Sequence, residues 1–546
     1  MDILSYNPGH DGAVCLIRDR RLEFSIEAEK DSGYRNSYIT VPDLLDATTN
    51  LERVPDVLCM SGWWPLDHHE YRFGSHRNGG YRGVRYEDAI MDSGRLFRGK
   101  TDYFSSSHER SHILCAFGMS DLPMGTRCYA LIWEGEMGSF YEIDEHLKIT
   151  LLADVLTQPG NRYGLAYGLA DPTFPKDGPY PRNSDAGKLM ALASFSTRTV
   201  PTEIEQKLTS HILDGAYRKL SDFGGLGEVP HLDVGLDDPE FRNFAGIFSD
   251  AIFSRFHKFA EENLEIGRPL IIAGGCGLNC DWNSKWRECG LFSQVFVPPV
   301  ANDTGAAIGT AIDAQLRYTG DAKIDWDVYS GLDFRHLGSV DLDAYDVFDG
   351  DPSIVAHLLE SGLIIGWAHG KYEIGPRALG NRSIIAAPFT DETRIRLNSI
   401  KQREQFRPIA PICTREDAEQ WFGCVTDSPH MLYTYHAATD ALAAVTHVNG
   451  TARLQTVTRE SNSRMYDLLT AFRKRTGFGV LCNTSLNFNG KGFINNLVDL
   501  DAYTTEHELD GFVVDGKAYA RKSSAAYKHF VRTSGAMANL MSRSPS

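Results

Sequence analysis

The segment from residue 366 to 411 combines positive side chains with glycine and proline. It reads GWAHGKYEIGPRALGNRSIIAAPFTDETRIRLNSIKQREQFRPIAP. Guanidinium groups match the oxygens of a phosphate, and glycine lets the backbone approach them closely. A solvated helix surface would instead alternate charges and avoid GPRALG and RPIAP. The segment therefore predicts a site for phosphate-bearing anions. Its nine positive or protonatable side chains are Lys371, Arg377, Arg382, Arg394, Arg396, Lys401, Arg403, Arg407 and His369.

The sequence SSSHERSH places His108 and His112 four residues apart, directly before a helical pattern. This spacing puts both imidazoles on one helix face, where they can bind one metal ion. The alternative is two exposed histidines at the start of a helix. Glu134 and Asp303, each in a predicted turn, are the carboxylates that would complete the site. Two histidines with carboxylates and open positions suit Fe(II) or Mn(II) better than a closed structural zinc.

The motif AGGCGLNC, residues 273–280, follows a predicted buried strand. Its glycines expose backbone N–H groups of the kind that bind phosphate at helix N-termini. It matches neither a Walker A loop nor a dinucleotide fingerprint, so a tight strand–helix turn is the alternative.

The distal half offers amide and hydroxyl groups at a predicted strand end, in NTSLN at 483–487. Nearby, Arg453 and Gln455 alternate along another predicted strand. Short polar side chains suit a planar carbamoyl group, which has a carbonyl to accept hydrogen bonds and an NH2 to donate them. Turn-forming asparagine and serine are the alternative interpretation.

The composition of the 546 residues limits the function classes, because the formal charge is −17. A partner such as tRNA or DNA requires a basic surface, so the charge argues against nucleic acid and favours a small anionic ligand in a local basic cleft. No apolar run approaches the ~20 residues of a membrane span, and the N-terminus lacks the pattern of a signal peptide. We expect no membrane contact and a cytoplasmic location. The ten cysteines form no CxxC pair, so neither a disulfide framework nor a zinc ribbon is expected.

Short strand patterns alternate with helical ones, which predicts an α/β protein. A meander of strands is expected at the N-terminus, and the stretch from Tyr163 to Gly187 is expected to form a loop over the site. The segment 199–265 is helical in character. The expected strands are Ile3 to Tyr6, Ala13 to Arg18, Leu22 to Ala28, Leu131 to Trp133, Pro269 to Ala273, Val295 to Val297 and Leu363 to Trp367; the expected helices include Thr304 to Tyr318 and Ile354 to Leu359.

A loop-rich, acidic passage at 320–350 places the predicted domain boundary near residue 345. The two predicted domains are therefore residues 1–345 and 346–533. The final residues, 534–546, are expected to be a disordered tail.

Together these motifs resemble the O-carbamoyltransferases of antibiotic and Nod-factor biosynthesis. The likeness covers nearly the whole chain and is strongest in EIGPRALGNRSI, LNSIKQREQFRPIAP, GTARLQTV and NTSLN. The resemblance implies an N-terminal duplicated actin-like, TsaD-like ATPase fold and a C-terminal YrdC-like α/β twisted-sheet domain. It places a carbamoyl-transfer domain before residue 345 and an adenylate-forming domain after it.

The resemblance implies an ATP-dependent carbamoyltransferase that works in two steps. Carbamoyl phosphate and ATP first give carbamoyl adenylate. The carbamoyl group then passes to a hydroxyl of a small natural product, such as a macrolide, an ansamycin or an aminoglycoside. The implied cofactors and co-substrates are ATP with Mg, carbamoyl phosphate and a divalent metal, Fe(II).

The same resemblance assigns roles to individual residues. Carbamoyl phosphate and the adenylate would be held by Lys401, Arg403, Arg407, Arg453, Asn483 and Ser485. Catalysis would fall to Lys401, Arg407, Arg453 and Ser485, with His10 as a base or orienting group. The nucleotide would contact Lys188, Gly274, Gly275 and Asn279. The metal would be bound by His108, His112, Asp303 and Glu134; because Glu134 stands where the family has aspartate, Glu136 is the alternative.

Two other functions compete with O-carbamoyl transfer. The related tRNA threonylcarbamoyl modification uses similar folds but requires a basic RNA-binding face, against which the charge of −17 counts. A non-catalytic actin-like nucleotide-binding scaffold would leave the cation cluster and NTSLN without a role.

Overall fold

The computed structural model describes residues 1–62, 90–178, 180–226, 229–338 and 340–533. The predicted disordered tail at 534–546 lies outside these ranges. By internal contacts the chain forms two compact units. The first contains Met1–Gly9, Cys15–Arg21 and Leu51–Asp325, and the second contains His10–Val14, Leu22–Asn50 and the remainder from Trp326. The division of the two functional domains near residue 345 stays a prediction.

The strands carry the apolar alternation or continuous burial that a sheet requires. They are β1 Asp2–Asn7, β2 Ala13–Arg18, β3 Arg21–Glu27, β4 Val57–Ser61, β5 Ile90–Leu96, β6 Thr101–Ser106, β7 Cys128–Trp133, β8 Gly138–Ile143, β9 Ile149–Asp154, β10 Leu270–Ala273, β11 Val295–Phe296, β12 Tyr345–Asp349, β13 Ile365–Ala368, β14 Arg382–Ala386, β15 Ala410–Thr414, β16 Tyr435–His436, β17 Thr451–Ala452, β18 Gln455–Val457, β19 Val480–Ser485, β20 Gly511–Val514 and β21 Lys517–Arg521.

Helices connect most of these strands. They are α1 Ala28–Ser32, α2 Val41–Thr49, α3 His108–Met119, α4 Pro159–Ala170, α5 Asp185–Ala193, α6 Glu203–Leu213, α7 Pro239–Asn263, α8 Cys280–Glu288, α9 Thr304–Thr319, α10 Pro352–Glu360, α11 Asp391–Ile400, α12 Arg415–Phe422, α13 Ser463–Thr476, α14 Leu497–Glu506 and α15 Ala525–Thr533. Among the described residues, no helix combines the length and the apolar character that crossing a membrane requires.

Two sheets in the N-terminal half repeat one topology. The first has the order β3-β2-β1-β4-β6-β5, and the second read in the same direction has the order β9-β8-β7-β10-β11. In each, three consecutive strands lie in reverse order and the next strand joins the first of them in parallel, as β4 does with β1 and β10 with β7. This repetition is the duplicated, actin-like arrangement predicted for this half of the chain.

The packing of α3 on α9 positions two of the predicted metal ligands. Glycine is required at this contact, because a Cβ on Gly309 would lie 1.7 Å from the carbonyl oxygen of Ser111, and one on Gly305 would lie 3.0 Å from Sγ of Cys115. The hydroxyl groups of Ser111 and Thr310 meet across the same contact at 2.7 Å. The backbones of the two helices therefore lie close together along the turns next to His112 and Asp303.

Gly309→Ala is expected to destabilise the protein by about 3 kcal/mol or more, since the added methyl group overlaps backbone rather than a movable side chain. Gly187→Ala is the control, because it also adds a methyl group to a helix but has no atom within 4 Å of the new position. The control should be neutral or slightly stabilising. Equal midpoints of chemical unfolding for the two variants would contradict this account of the α3–α9 contact.

The C-terminal half contains one mixed eight-stranded sheet in the order β12-β21-β20-β13-β14-β19-β15-β18. Neighbouring residues on a strand face opposite sides, so Ile384 and Ile385 of β14 belong to different apolar clusters. One cluster includes side chains of α10, α13 and α15, and the other includes those of α11, α12 and α14. The α/β class predicted for this half is thus confirmed, with helices covering both faces of the sheet.

The prediction of a loop from Tyr163 to Gly187 is wrong at both ends, because α4 includes residues 163–170 and α5 begins at Asp185. The glycines of YGLAYGLA have a packing role. A Cβ on Gly164 would lie 2.7 Å from Pro181, and one on Gly168 would lie 2.6 Å from the ring of Phe174. The intervening loop therefore lies directly on the glycine face of α4.

Candidate functional site

The two predicted metal-binding histidines lie in the first turns of α3, which begins at His108. The hydroxyl of Ser107 accepts a hydrogen bond from the backbone N–H of Arg110 at 3.2 Å and so caps the helix. His108 and His112 lie one turn apart on the same face, and both side chains are buried. Nδ1 of His108 is 3.3 Å from the carbonyl oxygen of Gly62, which orients Nε2 in the opposite direction.

Glu134 and Asp303 meet these histidines. Nε2 of His112 is 3.2 Å from Oδ1 of Asp303 and 3.3 Å from Oε2 of Glu134, and Nε2 of His108 is also 3.3 Å from Oε2 of Glu134. The four candidate ligand atoms lie within 4.8 Å of one another. Ligands on opposite sides of one ion, each bonded at about 2.1 Å, would be separated by about 4.2 Å. The nitrogen–oxygen distances of 3.2–3.9 Å in the cluster lie below this limit, so the residues present fit a single divalent metal ion.

Glu134 reaches the cluster because it begins the tight turn between β7 and β8, closed by a hydrogen bond from its N–H to the carbonyl of Met137 at 2.8 Å. Gly274 packs directly on this turn. It has φ +93°, and a Cβ there would lie 2.5 Å from the carbonyl oxygen of Trp133. Glu136 is exposed, and its carboxylate accepts hydrogen bonds from Gln158 and Asn161 at 2.8 and 3.0 Å. Of the two alternatives, Glu134 is the carboxylate in the cluster.

The charges of the cluster are mutually dependent. Burial opposes a charge on His112, but hydrogen bonds and charges from Asp303 and Glu134 raise its pKa to about 10. Burial likewise opposes a charge on Glu134, yet the two imidazoles hold the pKa of its carboxyl well below the usual range. Without a cation, imidazolium ions balance the charge of the two buried carboxylates. A divalent ion would supply the same positive charge and leave the imidazoles as neutral ligands.

The predicted nucleotide loop is a strand–turn–helix connection, as expected. β10 leads into a 3-10 turn, Gly275–Leu278, and then into α8. The side-chain oxygen of Asn279 accepts from the N–H groups of Asp281 and Trp282 at 3.2 and 3.3 Å, so Asn279 caps α8. Gly275 has no atom within 4 Å of an added Cβ, which leaves its backbone accessible to a ligand.

Lys188, the other predicted nucleotide contact, lies on α5 with its ammonium 5.5 Å from the ring centre of Tyr167 on α4. One turn earlier on α4, the ring of Tyr163 is 5.0 Å from that of Trp282 on α8. Lys188 and the loop before α8 thus lie beside the same helix. Their shared role in binding a nucleotide stays a prediction.

Lys401 is buried at the end of α11, in the second unit. Its ammonium donates to the carbonyl oxygens of Ser485 and Asn487 at 2.7 and 2.8 Å and to the side-chain oxygen of Asn487 at 2.5 Å. Lys401 thereby fixes the backbone at the end of β19, where the NTSLN motif begins its turn.

Several of the predicted cations form one cluster with Lys401. Burial holds the pKa of Lys401 well below its ordinary value, and three neighbouring positive charges add to the effect: Arg403, Arg35 and Arg407. Burial lowers the pKa of Arg403 to about 9, with further contributions from Arg407 and Arg453. Such concentrated, mutually repelling charge favours binding of an anion. Sequence reasoning missed Arg35, because a single arginine in a GYRN turn matches no motif.

Two polar atoms at this cluster are buried without a hydrogen-bond partner among the described residues. They are Oδ1 of Asn483, which is an acceptor, and Nε of Arg453, which is a donor. The amide nitrogen of Asn483 donates to the carbonyl of Ala378 at 3.1 Å and to Oε1 of Gln455 at 2.9 Å. Unsatisfied buried groups of opposite kind suit a ligand that has both a donor and an acceptor.

The basic segment also contains positive or protonatable side chains that have other partners or carry no charge. Arg382 donates to the carbonyls of His369 and Gly370 at 2.7 and 2.8 Å, and Arg396 pairs with Asp510 at 2.7 Å. Burial, together with nearby arginines, lowers the pKa of His369 to about 3, so His369 is neutral. These side chains satisfy local backbone and carboxylate groups, a demand that the sequence pattern does not reveal.

His10, the predicted transfer residue, belongs to the same unit as Lys401. Its Nδ1 is 2.9 Å from Oδ2 of Asp11, and Asn36 donates to the other oxygen of this carboxylate at 2.8 Å. The imidazole is 42% exposed, so a substrate can reach it. Asp11 holds the ring so that Nε2 faces away from the carboxylate.

Comparison with known proteins identifies related sequences along the chain. The family described as "Carbamoyltransferase C-terminus" matches residues 356–521, and "Carbamoyltransferase N-terminus" matches residues 241–312. The chain is 44% identical over 529 residues to a 3'-hydroxymethylcephem-O-carbamoyltransferase of Amycolatopsis lactamdurans, covering 95% of this chain and 99% of that protein. It is 32% identical over 533 residues to Nodulation protein U of Rhizobium tropici, covering 89% and 90%.

A similar solved structure is the activator of the 2-hydroxyisocaproyl-CoA dehydratase from Clostridium difficile, with a TM-score of 0.33 and 11% identity over 60% of this chain and all of that one.

Proposed function

This chain belongs to the carbamoyltransferase family, and we propose that it activates carbamoyl phosphate with ATP and transfers the carbamoyl group to a hydroxyl of a small natural product. In the first step, water cleaves carbamoyl phosphate to carbamate and inorganic phosphate, and a carbamate oxygen then attacks the α-phosphorus of ATP and displaces pyrophosphate. In the second step, the acceptor oxygen attacks the carbonyl carbon of carbamoyl adenylate, and AMP leaves. The acceptor proton passes to a base.

The observation that carries this proposal is the cation cluster with its two unsatisfied polar atoms. Carbamoyl phosphate has phosphate oxygens for Lys401, Arg403, Arg407 and Arg453, and an NH2 for Oδ1 of Asn483. Fixed positive charges in a buried site stabilise the negative charge that develops during phosphoryl and adenylyl transfer. The proposal therefore places adenylate formation at this cluster, with Ser485 at its edge.

We assign the transfer step to the metal cluster. His108, His112, Glu134 and Asp303 would hold the metal, for which Fe(II) is the proposed ion because of the mixed nitrogen and oxygen donors. A divalent metal ion supplies Lewis acidity that lowers the pKa of a bound hydroxyl. His10, oriented through Nδ1 by Asp11, is the proposed base for the acceptor proton.

ATP is proposed as the second co-substrate, with Mg²⁺ bound to its phosphates. In the N-terminal half, Lys188 and the exposed backbone of Gly274 and Gly275 are the proposed contacts of a nucleotide, and Asn279 supports them by capping α8. The location of the protein in the cytoplasm is likewise a proposal, consistent with the substrates.

The first acceptor to test is a 3'-hydroxymethylcephem, since the chain is 44% identical to a carbamoyltransferase named for that acceptor. Its primary hydroxyl is unhindered and neutral, as the transfer chemistry requires. A macrolide, an ansamycin and an aminoglycoside are the comparison acceptors that follow from the sequence analysis.

The proposal predicts that the purified protein releases pyrophosphate from ATP only when carbamoyl phosphate is present. Addition of the correct acceptor should then produce AMP and a product heavier by one carbamoyl group, which mass spectrometry would detect. Acetyl phosphate serves as the control donor. Pyrophosphate release at the same rate without carbamoyl phosphate would overturn the assignment.

A further inference from the structure

We infer that Gln455 is a positioning residue that fixes the amide orientation of Asn483 and so selects a carbamoyl donor over an acyl donor. The inference rests on the proposed function, because it concerns how that site distinguishes NH2 from CH3. Gln455 and Asn483 are both buried, with exposed fractions of 2% and 1%.

The orientation of the two amides follows from groups that can only accept hydrogen bonds. The carbonyl oxygen of Leu379 is 2.7 Å from the amide nitrogen of Gln455, so this end of Gln455 must be the NH2. The oxygen of the same amide then faces Asn483 at 2.9 Å and requires a donor there. Asn483 must therefore present its NH2 to Gln455.

A second carbonyl requires the same orientation. The oxygen of Ala378 is 3.1 Å from the amide nitrogen of Asn483 and can only accept. The NH2 of Asn483 is thus fully used by Ala378 and Gln455, and Oδ1 is directed away from both. This oxygen is buried and has no protein partner among the described residues.

The side chain of Asn483 lies on the strand face that leads to the cation cluster. Asn483 and Ser485 are two apart on β19 and share a face. The hydroxyl of Ser485 donates to Oδ1 of Asn487 at 2.5 Å, and the ammonium of Lys401 donates to the same oxygen at 2.5 Å. A ligand whose phosphate lies among the cations would therefore present its remaining substituent to an acceptor. Carbamoyl phosphate has an NH2 at that position, whereas acetyl phosphate has a methyl group that leaves Oδ1 unsatisfied.

The backbone carbonyl of Leu379 is itself fixed, because it also accepts a hydrogen bond from the hydroxyl of Tyr329 at 2.7 Å. Removing the amide of Gln455 would leave Asn483 held by the single hydrogen bond to Ala378. The side chain of Asn483 would then turn about this one contact, and Oδ1 would lose its fixed position toward the ligand. The selective effect of Gln455 is thus indirect, and Gln455 need not touch the substrate.

The test is Gln455→Met, which keeps the volume and removes both hydrogen bonds. We expect the preference for carbamoyl phosphate over acetyl phosphate, measured as the ratio of kcat/KM values for pyrophosphate release, to fall by about tenfold, mainly through KM. Gln315→Met is the matched control, since Gln315 is equally buried and its amide donates to the carbonyls of Asp321 and Lys323 at 3.0 and 2.9 Å. That control should lose stability but keep the wild-type preference.

Gln455→Glu separates orientation from folding, because a carboxylate still accepts from the NH2 of Asn483. It should retain most of the preference even if it unfolds more easily. A preference that stays unchanged in Gln455→Met, with both donors affected alike, would overturn the inference. A different result would overturn the proposed function itself: the wild-type enzyme would release no pyrophosphate with carbamoyl phosphate.

Discussion

Replacing Lys401 by methionine is expected to lower carbamoyl-phosphate-dependent pyrophosphate release by about a thousandfold. Lys401 has two effects that methionine cannot reproduce. Its charge attracts the phosphate, and its three N–H groups fix the backbone and side-chain oxygens at Ser485 and Asn487. Because both effects act on the adenylate-forming step, kcat and KM should both change. The measurement is the initial rate of pyrophosphate release with saturating ATP.

Lys491→Met is the matched control, because Lys491 lies in the same loop but is exposed, with its ammonium 5.3 Å from the ring of Phe488. Its removal should alter the rate by less than about threefold. Similar losses in both variants would mean that any positive charge near the loop suffices, and Lys401 would lose its special role.

The approach of the two candidate histidine ligands was predictable from sequence because a helix has a fixed period. The spacing of His108 and His112 alone puts both imidazoles on one face of α3. Local pattern could not choose between Glu134 and Glu136, since both lie in one turn. That choice depends on Gly274, which packs against the turn although it is 140 residues away in sequence.

The cation cluster was predictable only in part. A run of arginines and glycines indicates phosphate chemistry, yet pattern alone cannot tell a ligand-binding guanidinium from one that satisfies backbone carbonyls, as Arg382 does. Strands and helices with strong periodicity, such as Ala13–Arg18 and Thr304–Thr319, were placed almost at their observed bounds. The glycines of α4 misled the prediction, because their partners Phe174 and Pro181 are tertiary contacts.

Replacing His112 by alanine is expected to remove the metal ion and acceptor transfer while leaving pyrophosphate release intact. His112 contacts both Asp303 and Glu134, so its loss leaves one imidazole for two carboxylates and reduces the donor set to three. Losing one ligand of a four-ligand site should lower the metal content below about a tenth of the wild-type value after dialysis. The cations proposed to support adenylate formation belong to the second unit, and the substitution does not alter them.

A second variant, His112→Gln, preserves the volume of this buried side chain. The control, His146→Ala, removes an exposed histidine of the same unit. Metal content by mass spectrometry, pyrophosphate release and carbamoylated product are measured on each variant. Both His112 variants should lose metal and product but keep pyrophosphate release within about threefold, and His146→Ala should keep all three. If adenylate formation and transfer are separate, a metal ligand matters only for the second step. Equal loss of both half-reactions in a folded His112→Gln protein would contradict that separation.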